Sequence, residues 1–379
     1  MAHIQHRSGR RRPWQVRYRD PAGHERARSF LKKVDANRFA VTVEADILRG
    51  EWTDPRLSKT TVAEWSERWY RTKSSLKPKT LAGYDSNLRV HVLSAFGDYE
   101  LRHIDRMAVE EWVADLQASG LGPSAIRQAR QVLNSMMKLA VEAGYLLVNP
   151  VTGVKAPRQN DREMLFLSAE EVERLAAAIQ PPYATLVYLL AYGGLRWGEA
   201  VAVRRKRCQL LRSRVEVAES LTEARGRLEF GTTKTHQRRM VVIPGFLREL
   251  LAAHLAANVS DDSEALIFTS LEGQPLRNSN FRRRVWHRAT ADAGLAEGLR
   301  IHDLRHTCAS LLIAQGAHPK AIQVHLGHSS ISVTMDRYGH LFPSDMEALA
   351  ADLDAVRSRA LADQMRTKDG SEVIELGAR

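Results

Sequence analysis

Four polar residues in one 40-residue stretch have the types and spacing to act on a phosphate ester. His302 and Arg305 stand three apart at a helix start and so share a face. His328 follows in the turn Leu-Gly-His-Ser-Ser, and Tyr338 comes ten residues later at the end of a short amphipathic run. Between them Ala309, Leu311, Leu312, Ile313, Ile322, Val324 and Leu326 are apolar at helical spacing, which predicts buried helices carrying the polar groups at their ends. A phenol, two imidazoles and a guanidinium on one frame suit attack on a phosphodiester. Its nonbridging oxygens gain charge in the transition state, and a guanidinium offers them paired N–H donors that an ammonium cannot copy. A tyrosine with an ordinary pKa near 10 must lose its proton as it attacks, so a neighbouring imidazole is needed to take it.

His302 and His306 also have the spacing by which a helix can grip zinc, but residue 303 is Asp where the metalloprotease pattern puts Glu. No third ligand is obvious beyond His325 or His328, so His306 reads as a satisfied structural histidine. Cys308 reads as packing.

The elements that must hold this stretch can be followed from the N-terminus. A basic run, Arg10, Arg11 and Arg12, precedes the alternating strand Trp14–Arg19, the turn Asp20-Pro-Ala-Gly23 and a partner strand Arg26–Phe30. A helix from about Val34 to Leu48 ends at Gly50. The first 60 residues hold 14 Lys and Arg against 7 Asp and Glu, and the whole chain carries a net charge of +12, which points to a polyanionic partner. Arg17, Arg19, Arg26 and Arg28 on the strands could enter a DNA groove as a β-ribbon, or be the solvated face of a small domain. Residues 60–148 read as four amphipathic helices in a bundle, opened by a Thr60 or Thr61 cap. Their tryptophans read as core, and Lys73, Lys77 and Lys79 near the second helix start could grip phosphate or be a solvated charge cluster. Asn149 to Arg162, with Pro150, Gly153 and Pro157, is the clearest linker.

A new domain starts at the capping-box match Ser168-Ala-Glu-Glu171. An apolar helix, Thr185–Tyr192, stops at Gly193-Gly194, with Leu195-Arg-Trp-Gly-Glu199 beyond. Strands are expected at Val215–Ala218 and Arg239–Ile243, with Gly231–Thr235 as the hairpin turn between them. Helices follow over Phe246–Ala256 and around Phe281–Ala293, and Met346, Leu349, Leu353 and Val356 mark a last one. Two cysteines make no disulfide framework, and no apolar run is long enough to cross a bilayer, so a reducing cytosol is the expected setting.

With Gly194-Leu-Arg-Trp-Gly-Glu199, Thr233-Lys234, His302-Asp-Leu-Arg-His306, Leu326-Gly-His-Ser329 and Asp336-Arg-Tyr338 in that order, the chain resembles the tyrosine recombinases. The basic N-terminal unit looks like the arm-binding domain of phage-type integrases. The resemblance implies a multi-domain, mainly α fold with small β-sheets. An arm-type DNA-binding domain would span 1–58 and a helical core-type DNA-binding domain 59–150. A linker over 151–164 would lead to a mixed α/β catalytic domain over 165–345, and a C-terminal helix and tail over 346–379 would dock on a neighbouring subunit. It implies Arg196, Lys234, His302, Arg305, His328 and the nucleophile Tyr338 as catalytic residues, with His302 accepting the phenol proton and Lys234 protonating the leaving oxygen. The implied activity is a site-specific recombinase joining phage and host attachment DNA through a 3′-phosphotyrosyl link, which needs neither metal nor ATP, so no cofactor is expected. A resolvase or transposon recombinase of the same family, or a catalytically silent DNA-binding regulator, are the alternatives. Implied partners are double-stranded DNA with core and arm sites, a homo-tetramer, a DNA-bending host factor and an excisionase, at the bacterial nucleoid. The run Arg204–Arg214 departs from the family's usual Trp-x-Asp segment.

Overall fold

The computed structural model describes residues 2–362 except 22, 51, 53, 55, 56, 159–162, 234–237 and 343–349. The chain divides into two compact units, Met1–Arg162 and Glu163–Arg379.

The first unit opens with a three-stranded antiparallel sheet, β1 (His3–His6), β2 (Trp14–Arg19) and β3 (Glu25–Phe30), backed by α1 (Lys33–Arg49). Strand β1 is not anticipated from sequence, because four residues with one partly buried side chain carry little alternation. The β2–β3 register pairs Arg17 with Ala27 and Val16 with Arg28. Successive side chains alternate faces, so Val16, Tyr18, Arg26 and Arg28 turn toward the helix while Arg17 and Arg19 turn outward. Arg26 bonds Asp20 at 3.0 Å and Asp54 at 2.8 Å, and Arg28 lies over the Phe30 and Phe39 rings. The register thus places the four strand arginines on two faces of the sheet. Arg17, paired with Glu25 at 3.2 Å, and Arg19 are on the outer face, while Arg26 joins Asp20 to Asp54 and Arg28 lies over rings of the sheet and the helix.

The helical part contains α2 (Val62–Arg71), α3 (Pro78–Asn87), α4 (Leu93–Phe96), α5 (Arg106–Ala118) and α6 (Pro123–Glu142). Thr61 caps α2 in a capping box with Glu64, and Asp105 caps α5. Trp65, Trp69 and Trp112 are buried with Leu133, Met136 and Met137, as the spacing predicts.

The second unit begins at α7 (Ala169–Ala178), with the Ser168–Glu171 capping box, and continues through α8 (Ala184–Gly193) and the short α9 (Trp197–Ala200). The departing run Arg204–Arg214 supplies the edge strand β4 (Cys208–Gln209), which pairs with β5 (Arg214–Val217), itself paired with β8 (Arg239–Val242). Between β5 and β8 stands a further hairpin, β6 (Glu219–Ala224) and β7 (Arg227–Thr232), turning at Arg225-Gly226, both at positive φ. The expected turn at Gly231–Thr235 is thus displaced. Gly231 and Thr232 are paired strand residues, because Arg225-Gly226 supplies the left-handed conformations a two-residue turn requires. After α10 (Gly245–Asn258), α11 (Asn278–Phe281) and α12 (His287–Asp292) come the three helices of the opening stretch, α13 (Asp303–Ala314), α14 (Pro319–Leu326) and α15 (Ile331–Tyr338). These three pack through Cys308, Ala309, Ile313, Ile322, Leu326 and Tyr338, while Val324 faces solvent, contrary to the periodic reading. Residues 350–362 are helical and exposed throughout, Leu353 and Val356 included. Met346, Leu349 and the strand-like 371–376 lie outside the described residues.

Candidate active site

Two glycines set the positions of two arginines. Gly194 ends α8 in the left-handed region at φ 65°, and a Cβ there would meet Leu326 Cδ2 at 2.5 Å and Cys308 Sγ at 2.9 Å. Only glycine fits, and its carbonyl oxygen accepts from Arg305 Nη1 at 2.6 Å. Gly327 ends α14 at φ 69°, and its carbonyl accepts from Arg196 Nη2 at 3.3 Å. Arg305 Nη2 donates to Leu326 O at 2.6 Å. Arg305 is 2% exposed, and burial together with the charge of Arg196 pushes its pKa down to about 9, which leaves it cationic at neutral pH.

Glu199, 1% exposed, holds this cationic cluster together. Arg196 Nη1 donates to its Oε1 at 2.9 Å, and Arg239 of β8 donates to both its oxygens at 3.2 and 2.7 Å. Burial alone would raise the Glu199 pKa; hydrogen bonds from Arg239 and the charges of Arg239 and Arg196 instead bring it down to about 2. Arg239 Nε also donates to His325 O at 3.2 Å, tying the sheet to α14. Three guanidiniums against one carboxylate leave an excess of two positive charges.

Helix α13 starts under Asp303, which is fully buried and accepts from the Arg300 backbone at 2.7 Å and from its guanidinium. An acid at a helix N-terminus is favoured by the exposed N–H groups there. His302, just before it, is exposed on one side, and the protein around it with the charges of His306, Arg305 and Arg337 lowers its pKa. His306, one turn on, is buried, and its Nδ1 lies 2.8 Å from the Tyr338 hydroxyl. The His302 and His306 rings meet edge-on at 4.9 Å.

Tyr338 is wholly buried, and burial raises its pKa against the lowering charge of Arg305. Its ring stacks on His328, with centroids 6.2 Å apart and planes 18° from parallel. His328 Nδ1 is 2.9 Å from Thr334 Oγ1, one turn before Tyr338 on α15. His328 Nε2 is buried and has no partner, the one such side-chain atom among the described residues of the second unit. Burial and the charges of Arg305 and Arg196 push the His328 pKa down to about 3, so the ring is neutral. The tautomer in which Thr334 donates to Nδ1 carries its proton on Nε2, where it meets an incoming acceptor.

Of the residues singled out from sequence, Arg196, Arg305, His328 and Tyr338 come together around this cluster, with His302 at its edge. Lys234 lies outside the described residues. Glu199, Arg239, His306 and Thr334 acquire contacts that sequence reading did not assign. Glu199 stood within the Gly194–Glu199 motif without a task. Arg239 sat in a run of arginines, and only strand pairing selects it.

The chain matches the model of the phage integrase family over residues 165–344 and that of the phage integrase N-terminal SAM-like domain over residues 61–117. The integrase of Mycobacterium phage D29 is 30% identical over 355 residues, 87% of this chain and 90% of that protein. The ICEBs1 integrase of Bacillus subtilis is 26% identical over 351 residues, covering 88% of this chain and 94% of its own. Among solved structures, the Tn1549 transposon integrase with circular intermediate DNA aligns at a TM-score of 0.68 and 18% identity, over 78% of this chain and 99% of that one. A lambda integrase dimer bound to a core site aligns at 0.58 and 19% identity, over 88% and 93%. At such identities the structures speak for the fold, while sequence likeness along nearly the whole length of the phage D29 protein speaks for kinship: this chain belongs to the phage integrase family, the tyrosine site-specific recombinases.

Proposed function

We propose that residues 163–379 grip one phosphodiester of duplex DNA and that Tyr338 attacks it, leaving a 3′-phosphotyrosyl link and a free 5′-hydroxyl. The observation that carries this reading is the unpartnered, buried Nε2 of His328 beside Arg196, Arg305 and the Tyr338 ring. A buried polar atom without a partner is costly unless something arrives to satisfy it, and a nonbridging phosphate oxygen does so. The excess of two positive charges matches the two negative charges of a pentacoordinate phosphorane. Donors fixed in advance against developing charge are worth about 3–4 kcal/mol each. Lys234 is the acid for the 5′-oxygen. His302, at the exposed edge, completes the set of catalytic residues. The covalent link conserves the energy of the broken bond, so religation to another strand proceeds without ATP or metal.

The substrate is attachment-site DNA, and the reaction is integration with excision as its reverse. Relatives named integrases, from Mycobacterium phage D29 and from Bacillus subtilis, support this over a resolvase. The outward Arg17 and Arg19 on the β1–β3 sheet, with Arg10, Arg11 and Arg12, are the arm-site contacts, and Lys77 and Lys79 at the start of α3 are core-site contacts. The working assembly is a homo-tetramer, as in the solved lambda integrase tetramer bound to a Holliday junction. The exposed apolar residues of helix 350–362 favour docking on a neighbour. A bending host factor and an excisionase are the expected accessory partners, and the bacterial nucleoid is the expected site of action. Among the described residues no helix is long and apolar enough to cross a membrane.

Tyr338→Phe in a nicked suicide-substrate assay with EDTA tests the nucleophile. The variant is expected to bind core-site DNA and form no covalent adduct; a protease-sensitive adduct from it would refute the assignment. Removing residues 1–60 is expected to abolish arm-site binding while core-site cleavage continues.

A further inference from the structure

The hydroxyl of Tyr338 has a partner to which the reading above gives no task. His306 Nδ1 is 2.8 Å from it, and both side chains are buried. No described hydrogen bond joins His302 to the phenol. His302 instead lies edge-on behind His306, open to solvent. The other face of the tyrosine ring rests on His328, whose unpartnered Nε2 lies in the cationic pocket. The phenol is therefore held between the imidazole that meets the phosphate and the imidazole on the rigid helix that carries Arg305. We propose that His306 is a catalytic residue that accepts the Tyr338 proton during strand cleavage and returns it during religation. This rests on Tyr338 being the nucleophile.

The atoms balance as follows. The Tyr338 O–H bond breaks and its proton passes to His306 Nδ1. The oxygen pair forms the O–P bond, and the P–O5′ bond breaks with its pair on the 5′-oxygen, which is protonated by Lys234. In the return step a 5′-hydroxyl gives its proton back to Lys234 as its oxygen forms the bond to phosphorus, the bond between phosphorus and the Tyr338 oxygen breaks with its pair on that oxygen, and the departing phenolate recovers the proton from Nδ1. For this to work His306 must begin neutral with Nδ1 unprotonated. Burial lowers its pKa to about 4, helped by the charges of Arg337, Arg300 and Arg305 and opposed by Asp303. The remaining groups facing it are His302, Tyr338 and the Phe166 ring. A phosphate arriving with one negative charge and gaining another as attack proceeds raises the basicity of the ring at the moment the proton must move.

The test uses the full chain in single turnover on a nicked duplex carrying a core site that the wild type cleaves. The substrate is made with an ordinary 5′-oxygen and with a bridging 5′-sulfur at the scissile position. His306→Gln keeps the volume and a hydrogen bond but cannot take up a proton. It is expected to slow adduct formation about 100-fold or more, within the usual range for lost general base catalysis. The loss should be equal for both substrates, since a sulfur leaving group needs no proton, and the rate should climb with pH where the wild type is flat. Free imidazole should restore part of the activity of His306→Ala; if that variant loses core-site binding, His306→Gln decides alone. The role is overturned by a wild-type rate in His306→Gln, which means packing only. A faster rate overturns it too, since His306 would then be restraining the phenol, as does a defect erased by the sulfur substrate. An adduct formed by Tyr338→Phe sinks the nucleophile reading, whereas an inactive Tyr338→Phe beside a fully active His306→Gln sinks the His306 role alone.

Discussion

Replacing Glu199 by Gln removes one charge from the centre of the site and leaves the volume almost unchanged. In the folded chain its pKa stands at about 2 against an ordinary 4.5, and the residue is 1% exposed, so solvent screening is slight. A folded pKa below the unfolded one means stability that is fully present above pH 4.5 and lost as pH falls through 4.5 toward 2. The difference corresponds to roughly 3 kcal/mol at pH 7, at about 1.4 kcal/mol per pH unit. That agrees with the roughly 3–5 kcal/mol typical of breaking one side of a buried ion pair. Arg239 loses its bidentate acceptor and Arg196 and Arg239 are left to share one carbonyl oxygen, so adduct formation should fall along with stability. The Cys308 thiol, 1% exposed, reports unfolding of this unit apart from residues 1–162. A urea titration with an acid-tolerant disulfide reagent, read by mass spectrometry on the Cys308 peptide, measures the gap between variant and wild type. The gap should be near 3 kcal/mol at pH 7 and less than half that at pH 3. Equal stability at pH 7, or a gap that widens in acid, would show that Glu199 is not the ionised keystone of the arginine cluster.

Gly194→Ala should cost roughly 2–4 kcal/mol, from left-handed backbone strain and the overlaps with Leu326 and Cys308, and should depress cleavage by tilting the carbonyl that holds Arg305; the same thiol-trapping titration and the adduct assay read both. Thr334→Val removes the Nδ1 partner of His328, and the loss of about 1 kcal/mol of orientation should slow adduct formation roughly fivefold without weakening core-site binding. In the N-terminal sheet, Arg17→Ala and Arg19→Ala should weaken arm-site DNA binding and flatten its salt dependence while the melting temperature holds. Arg26→Ala, which unties Asp20 and Asp54, should lower the melting temperature first.

How much of this was legible in the sequence depends on how local each signal is. The capping box at Ser168 read correctly because it needs only four consecutive residues, whereas the choice between Thr60 and Thr61 as the cap of α2 was settled only by the structure. The helices α13 to α15 read correctly because their apolar period is strong, although Val324 shows that period alone does not tell a buried stripe from its margin. The β6–β7 hairpin was missed because its strands are mostly half-exposed and its turn is Arg-Gly, a pair whose meaning depends on both residues taking positive φ. Arg17 and Arg26 are indistinguishable by type and differ only through register, which fixes which face each one occupies.

The site itself divides along the same line. Arg196, His302, Arg305, His328 and Tyr338 belong to short motifs and could be picked out one by one. Glu199, Arg239, His306 and Thr334 matter through bonds that span from three to 86 residues of chain, and most of these bonds exist only once helices and strands are packed. The partition has a physical cause. Groups that meet the phosphate must be of a particular chemical type and so leave a motif. Groups that tune charge or take a proton need only arrive at the right atom, and several residue types on several elements could do so. His306 illustrates this: four residues from His302 it looks like a spare imidazole or half of a metal pair, and only the fold brings its Nδ1 within 2.8 Å of the Tyr338 hydroxyl on α15.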